Sequence, residues 1–218
     1  YIAKKISIKS EGNFSGLIIK IGIGGISLSL TIMLLSVFIT KGFYSEIENK
    51  LTGFAAPIQI RTFDLNESFE AQPLYLDPIM ANKIKSLAGV KNIQPFIQKA
   101  GIIKSGENIQ GIVMKGIDST YQTEYLNKIL VKGYIPDYKN MDEQNSVLIS
   151  EYLANSLFLD TGKKLNVYFV QQPVRARSFN IKGIFKSGLD MHDRSFAICN
   201  IHMIRTLYSW PDSLVQGY

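Results

Sequence analysis

From Ile21 to Thr40 the chain reads IGIGGISLSLTIMLLSVFIT, twenty residues without a charged side chain. A helix rises about 1.5 Å per residue, so this run reaches roughly 30 Å, the depth of a bilayer's hydrocarbon core. The run predicts a membrane-spanning helix, with a buried helix of a soluble domain as the alternative. It is longer than the roughly 7–15 apolar residues of a signal-peptide core, and no small-residue cleavage site occurs between it and Lys41.

The flanks predict orientation. Lys4, Lys5, Lys9 and Lys20 face the single acid Glu11 on the N-terminal side, whereas Lys41 and Lys50 are mixed with Glu46 and Glu48 on the other. Positive residues stay in the cytoplasm, which places the N-terminus there and sends everything after Lys41 to the far side of the membrane. Residues 1–41 hold five lysines and one glutamate, +4 of the chain's +6, leaving +2 for the remainder. A basic excess that belongs to a membrane flank is no pointer to nucleic acid, and none is expected as a partner.

The chain beyond Lys41 is long enough for one sizeable domain or two small lobes. Cys199 is the single cysteine, which excludes an intramolecular disulfide and leaves apolar packing to hold the fold. The chain opens on Tyr1 rather than Met, and Leu214–Tyr218 reads as a strand without a turn after it, so a fragment of a longer protein is expected.

The apolar helix is expected to outlast the bilayer, because Phe43, Ile47 and Leu51 continue a stripe at i, i+4 and i+8 before Gly53 as a stop signal. Such a stripe requires a cover: its own domain, a second membrane helix or a greasy ligand. Ala56–Arg61 alternates like a half-buried strand, and Asp64–Gln72 reads as a loop. Asp77-Pro78 is a helix start, with Met80, Ile84 and Leu87 as its apolar stripe. Val90–Ile103 and Ile109–Ile117 read as a hairpin around Ser105–Asn108. Thr120–Leu130 predicts a short helix, Gly133–Glu143 a polar loop, Val147–Ser150 a strand and Glu151–Leu159 a helix. Further strands are predicted at Leu165–Gln171, Ser178–Phe185 and Phe196–Asn200, with a helix at Met203–Tyr208. The fold class is α+β: one N-terminal transmembrane helix, then a mixed, mostly antiparallel core.

No G-x-x-x-x-G-K-[ST] loop is present, so nucleotide hydrolysis by this chain is not expected. Gly22, Gly24 and Gly25 lie within the apolar run with no strand before them, which excludes a dinucleotide fingerprint. Gly25 and Ser29 instead form a small-xxx-small pair suited to helix packing. Asp190-Met191-His192-Asp193, with Ser187 nearby, crowds titratable groups onto one stretch. Metal and catalytic sites draw their groups from separate parts of a fold, so a surface loop is expected, with no metal, no cofactor and no catalytic residue. The loop Gln171–Arg177 places Pro173, Arg175 and Arg177 between two strands. It reads either as a solvated hairpin tip or as a docking point for an acidic partner.

Several short motifs occur in order along the chain: Ile2-Ala3-Lys4-Lys5; the Gly-rich start of the apolar run; Lys41-Gly42-Phe43 stepping into Glu46-Ile47 and Lys50-Leu51; Val147–Ser150; Thr161–Leu165; Ile184–Gly188; and the stretch from Asp193 to Tyr218. In that order they resemble permeases of the lipoprotein-releasing LolC/LolE type and the exported core of the MacB/FtsX-like superfamily. Lys41 stands where that family usually has Asn, and Thr161-Gly162-Lys163-Lys164-Leu165 replaces its usual G-D-K-L.

The resemblance implies a non-catalytic permease subunit driven by a separate cytoplasmic ABC ATPase, working beside a second permease copy or paralogue. Its substrate would be a lipoprotein, extracted from the membrane and passed to a periplasmic carrier. Residues 1–53 would form the cytoplasmic N-terminus, the membrane helix and its extension, and 54–218 the periplasmic core. That core would comprise a porter-like lobe, about 54–100 and 205–218, split by an inserted β-rich lobe at about 101–204. The resemblance also implies that Thr40, Phe43, Ile47 and Leu51 line a groove for acyl chains, and that 171–177 matches the carrier-binding hairpin, though shorter. A MacB-like efflux or FtsX-like signalling permease is the alternative within the class. A single-pass sensor or adaptor with an extracytoplasmic ligand-binding domain is the alternative outside it.

Overall fold

The computed structural model describes residues 14–63, 72–105 and 108–218. The N-terminal motif Ile2–Lys5, the flanking Lys9 and Glu11, most of the 64–72 loop and the Gly106-Glu107 turn lie outside those residues. Helix α1, Phe14–Ala55, runs 42 residues without a break. Its apolar side chains are exposed from Leu17 to Ile39, as a lipid-facing surface requires. Two hydroxyls in the run are satisfied locally: Ser29 Oγ donates to the Gly25 carbonyl at 2.9 Å and Thr31 Oγ1 to that of Ser27 at 2.8 Å.

The helix does not stop at Gly53. It ends at Ala55, where Ala56 turns into the left-handed region at φ 63°. Gln59 Nε2 then donates to the Ala55 carbonyl at 2.6 Å, satisfying one of the orphan acceptors of the last turn. This ending corrects the strand expected at Ala56–Arg61: the left-handed residue and Pro57 occupy its first positions, Ile58 is exposed, and pairing begins only at Ile60 and Arg61.

The chain divides between Thr52 and Gly53 into two compact units. Among its described residues the second contains seven strands: β1 Phe96–Ser105, β2 Asn108–Ile117, β3 Leu130–Gly133, β4 Ser146–Ser150, β5 Lys164–Phe169, β6 Arg175–Phe185 and β7 Phe196–Asn200. Their order is β3-β6-β4-β7-β2-β1-β5, and β5 pairs back onto β6, so six strands close a ring with β3 attached to β6. The pairs β2–β7 and β4–β6 are parallel and the other five antiparallel, which makes the sheet mixed and mostly antiparallel.

The helices of this unit are α2 Pro78–Lys85, α3 Glu124–Ile129, α4 Glu151–Ser156, α5 Asp190–Ser195 and α6 Ile201–Tyr208, with a 3-10 turn at Met141–Glu143. Side-chain oxygens start three of them: Asp77 accepts from Ile79 N, Ser150 from Leu153 N and Asn200 from His202 N. Helix α2 buries none of its residues: of the apolar stripe that signals it, Met80 is exposed and Ile84 half-buried, and Leu87, just past its end, is exposed too.

Period-two alternation assigns side chains to the two faces of the sheet. Met114, Val147, Ile149, Val167, Phe169, Phe179, Ile181, Ala197 and Cys199 enter one core, closed by Leu153 and Leu157 around α4 and by Ile204 and Leu207 of α6. Ile117, Leu148, Phe185 and Ile198 enter a second cluster on the other face, with Phe54, Leu126 and Tyr138. Strand β6 serves both because its register against β4 slips by one residue between Ile181 and Gly183. That bulge turns the strand over, so Ile184 joins the first core and Phe185 the second. Gly133 permits it, since at φ 81° its backbone lies so close to the Lys182 carbonyl that no Cβ would fit.

The terminal segment reaches back across the chain. Ile60 and Tyr218 exchange backbone hydrogen bonds at 2.8 and 3.0 Å, Leu74 and Val215 at 2.7 and 3.1 Å, and Phe96 N donates to Gly217 at 2.9 Å.

Candidate functional site

Aromatic and titratable groups converge in the second unit, around its first residues. Gly53 presses against the Tyr125 ring so tightly that a side chain there would collide with it. Phe54, only 2% exposed, packs edge-on against His192 at 4.9 Å and Phe196 at 5.4 Å between ring centroids, and tilted against Phe185 at 6.3 Å. His192 and Phe196 stack on each other at 5.2 Å.

Into this cluster projects Lys115, from β2, and it is only 7% exposed. Its Nζ donates to the Phe54 carbonyl and lies 4.8 Å from the Phe54 ring centre and 5.7 Å from that of Tyr121. Burial pushes the ammonium down to about 8, and the Arg61 guanidinium pushes the same way. Burial also pushes the Tyr121 hydroxyl up to about 12, with Tyr125 adding to it. His192 is held below the usual imidazole range by burial and then by Lys115, against an opposing pull from Asp193. The arrangement does not activate a nucleophile. It places a cation at the carbonyl end of a helix, where the backbone dipole is negative, and against two ring faces.

The Asp190–Asp193 stretch is the helix α5 rather than a surface loop. Asp193 is buried and accepts from Ser187 Oγ at 2.7 Å, Ser187 N at 3.0 Å and Gly188 N at 3.1 Å, while Ser150 Oγ donates to its carbonyl. These bonds fix the turn that carries His192 into the cluster. Asp190 is spent on Arg194 at 2.8 Å.

The groove stripe on α1 is in place as a stripe: Phe43 is 68% and Leu51 42% exposed, Thr40 is exposed and Ile47 half-buried. Gly25 and Ser29 share one helix face, and the space above Gly25 is open. At the hairpin between β5 and β6, Pro173 and Val174 stand exposed, but Arg175 and Arg177 lie within β6. They occupy the same face as Phe179, half-buried, and Arg175 Nη1 donates to the Thr206 carbonyl at 3.4 Å. The tip therefore presents an apolar rim, with Val170 and Val174 beside Pro173, and not the pair of guanidinium groups expected there.

Lys115 is the group that sequence reasoning missed. The only sign of it was one lysine inside the apolar run Gly111-Ile112-Val113-Met114-Lys115-Gly116-Ile117.

The family of the MacB-like periplasmic core domain matches residues 21–212. The chain belongs to that family. This MacB-like chain is 23% identical over 210 residues to the lipoprotein-releasing system transmembrane protein LolC of Neisseria meningitidis, covering 92% of this chain and 48% of the relative. It is 25% identical over 202 residues to LolC of Xylella fastidiosa, covering 88% and 46%. The chain thus spans about half the length of the curated relatives it matches. Among solved structures, the periplasmic region of MacB from Actinobacillus actinomycetemcomitans aligns with a TM-score of 0.49 at 14% identity, covering 73% of this chain and 70% of the other. The extracellular domain of the noncanonic ABC-type transporter YknZ aligns at 0.47 with 19% identity, covering 73% and 79%. The family match and the LolC relatives bear out the resemblance drawn from the motifs.

Proposed function

We propose that this MacB-like chain is part of a permease subunit of an inner-membrane ABC transporter that lifts lipoproteins out of the bilayer for a periplasmic carrier. A separate cytoplasmic ATPase supplies the energy, and a second permease copy or paralogue completes the pair. The observation that carries this reading is the unbroken α1: among the described residues one helix is long and apolar enough to cross a membrane, and it runs on to Ala55, beside the buried Phe54. A continuous rod transmits displacement along its length, which is what a transporter without a nucleotide site of its own requires. The lipoprotein-releasing LolC relatives support the choice of cargo.

In this reading the lysine-rich N-terminus is cytoplasmic and residues 53–218 are periplasmic. The pairing of Ile60, Leu74 and Phe96 with the terminal segment supports a porter-like lobe built from 54–100 and 205–218 around an inserted β-rich lobe. Thr40, Phe43, Ile47 and Leu51 form one wall of an acyl groove, where each buried CH₂ is worth about 0.8 kcal/mol. The carrier docks at the tip around Pro173, with Arg175 and Arg177 beneath it. Photo-crosslinkers placed at Phe43 and Ile47 in the full-length protein in cells are expected to capture lipoprotein, and Phe43→Asp to impair release. Crosslinkers that capture lipid but no lipoprotein would overturn the cargo assignment.

A further inference from the structure

Strand β2 is held on both sides, antiparallel to β1 and parallel to β7, with Lys115 opposite Gln98 and Ile198. A lysine at such a position, covered on its own face by the second cluster, sits on a part of the fold that does not yield. Among the described residues it forms no ion pair; the charged or titratable groups around it are Arg61, which is itself cationic, His192, Tyr121 and, one step further, Asp193. The Asp193 carboxylate is already committed to Ser187 and Gly188. What gains from the charge is the helix end: the Phe54 carbonyl and the Phe54 ring. If that end frays, the ammonium is left buried with no acceptor, a state far costlier than a lost surface contact. Docking of the helix end is therefore all-or-none.

We propose that Lys115 is a positioning residue that locks the last turn of α1 to β2, so that movement of the helix is delivered to the sheet instead of being lost in a frayed end. The lock rests on the permease reading for its use, though not for its existence. Gly53 is part of the same fit, since it lets the helix end approach Tyr125.

The test uses the full-length permease with its ATPase in proteoliposomes and a fluorescent triacylated lipopeptide as the probe. Lys115→Met keeps the length and apolar bulk of the side chain and removes the ammonium. It is expected to leave ATP hydrolysis within about twofold of wild type and thermal stability unchanged or higher, while lipopeptide released per ATP falls at least about tenfold. Amide exchange over residues 50–59 is expected to quicken at least about tenfold, and Lys115→Arg to restore both readouts in part. Wild-type exchange in Lys115→Met overturns the lock, whether coupling survives or not, because any coupling loss would then originate elsewhere. Quickened exchange with wild-type coupling overturns the positioning role. If the wild-type complex releases no lipopeptide, the permease reading fails, and the exchange measurement still decides the lock.

Discussion

One face of the sheet is covered by Leu153, Leu157, Ile204 and Leu207 from helices that come directly after their own strands, and the core between them is apolar, with the Lys99 ammonium buried at its edge over the Tyr208 ring. The other face receives Phe54 from the far end of a 42-residue helix, a histidine, tyrosines and an ammonium that donates to the helix's own carbonyl. Both layers exclude water, yet their chemistry differs because they do different things. The first is assembled from neighbours in sequence and is held mainly by complementary shape. The second joins a distant element whose arrival must be specific, and charge and hydrogen bonding supply the specificity that apolar contact lacks.

The largest effect should separate the faces by simple truncation. Phe179→Ala in the first core, where the surroundings cannot close the cavity, is expected to cost about 3–5 kcal/mol in denaturant unfolding. Phe54→Ala in the second cluster should cost at least as much, since a helix end that withdrew to close the void would leave the Lys115 ammonium buried without its carbonyl acceptor. A loss at Phe54 less than half of that at Phe179 would mean that the helix end withdraws freely and would erase the distinction.

A second effect is opposite in sign. Lys115 is pushed from the usual lysine value of 10.5 to about 8 in the fold, so between those values the unfolded chain binds more protons than the folded one. Wild-type stability should therefore rise as pH climbs from about 8 to 10.5, and the penalty is complete below 8. Lys115→Met is expected to be more stable by up to about 3 kcal/mol near neutral pH, with the gap closing as the pH approaches the unfolded lysine value in melts taken across that range. A variant that is less stable than wild type near neutral pH would make the ammonium a net stabiliser and reverse the sign of the burial penalty.

The smallest effect compares two helices of eight residues with the same kind of cap. Asn200→Ala should cost about 1 kcal/mol of global stability, because α6 buries Ile201, Ile204 and Leu207. Asp77→Ala should leave global unfolding unchanged and only quicken exchange within α2, which buries nothing.

That pair of helices also shows where sequence reading stops. Caps and apolar periodicity are local, so both helices, the long apolar run and the strands with clean alternation were legible, as was the kinship with LolC-type permeases. What covers a stripe is decided elsewhere in the chain, so the spacing of the α2 stripe gave the helix but not that α2 buries none of its residues. Lys115 was hidden for the converse reason: in a strand with one wet face a lysine points to water, and only tertiary structure reveals that the second half of β2, residues 112–117, has none. Arg175 and Arg177 looked like a tip because Pro173 ends the preceding run, whereas the alternation with Phe179 draws them into β6. The α1 groove stripe was readable from its spacing, while its occupant was not.

The slipped register of β6 bears on how this sheet tolerates change. One residue inserted after Gly183 would leave the tail of the strand one step out of phase, sending the Phe185 ring toward a layer already filled and Ile184 toward the helix root in its place. Phe54 would then face a hole where it now meets an aromatic ring, and a gain of one residue would be felt as a loosened joint some distance away.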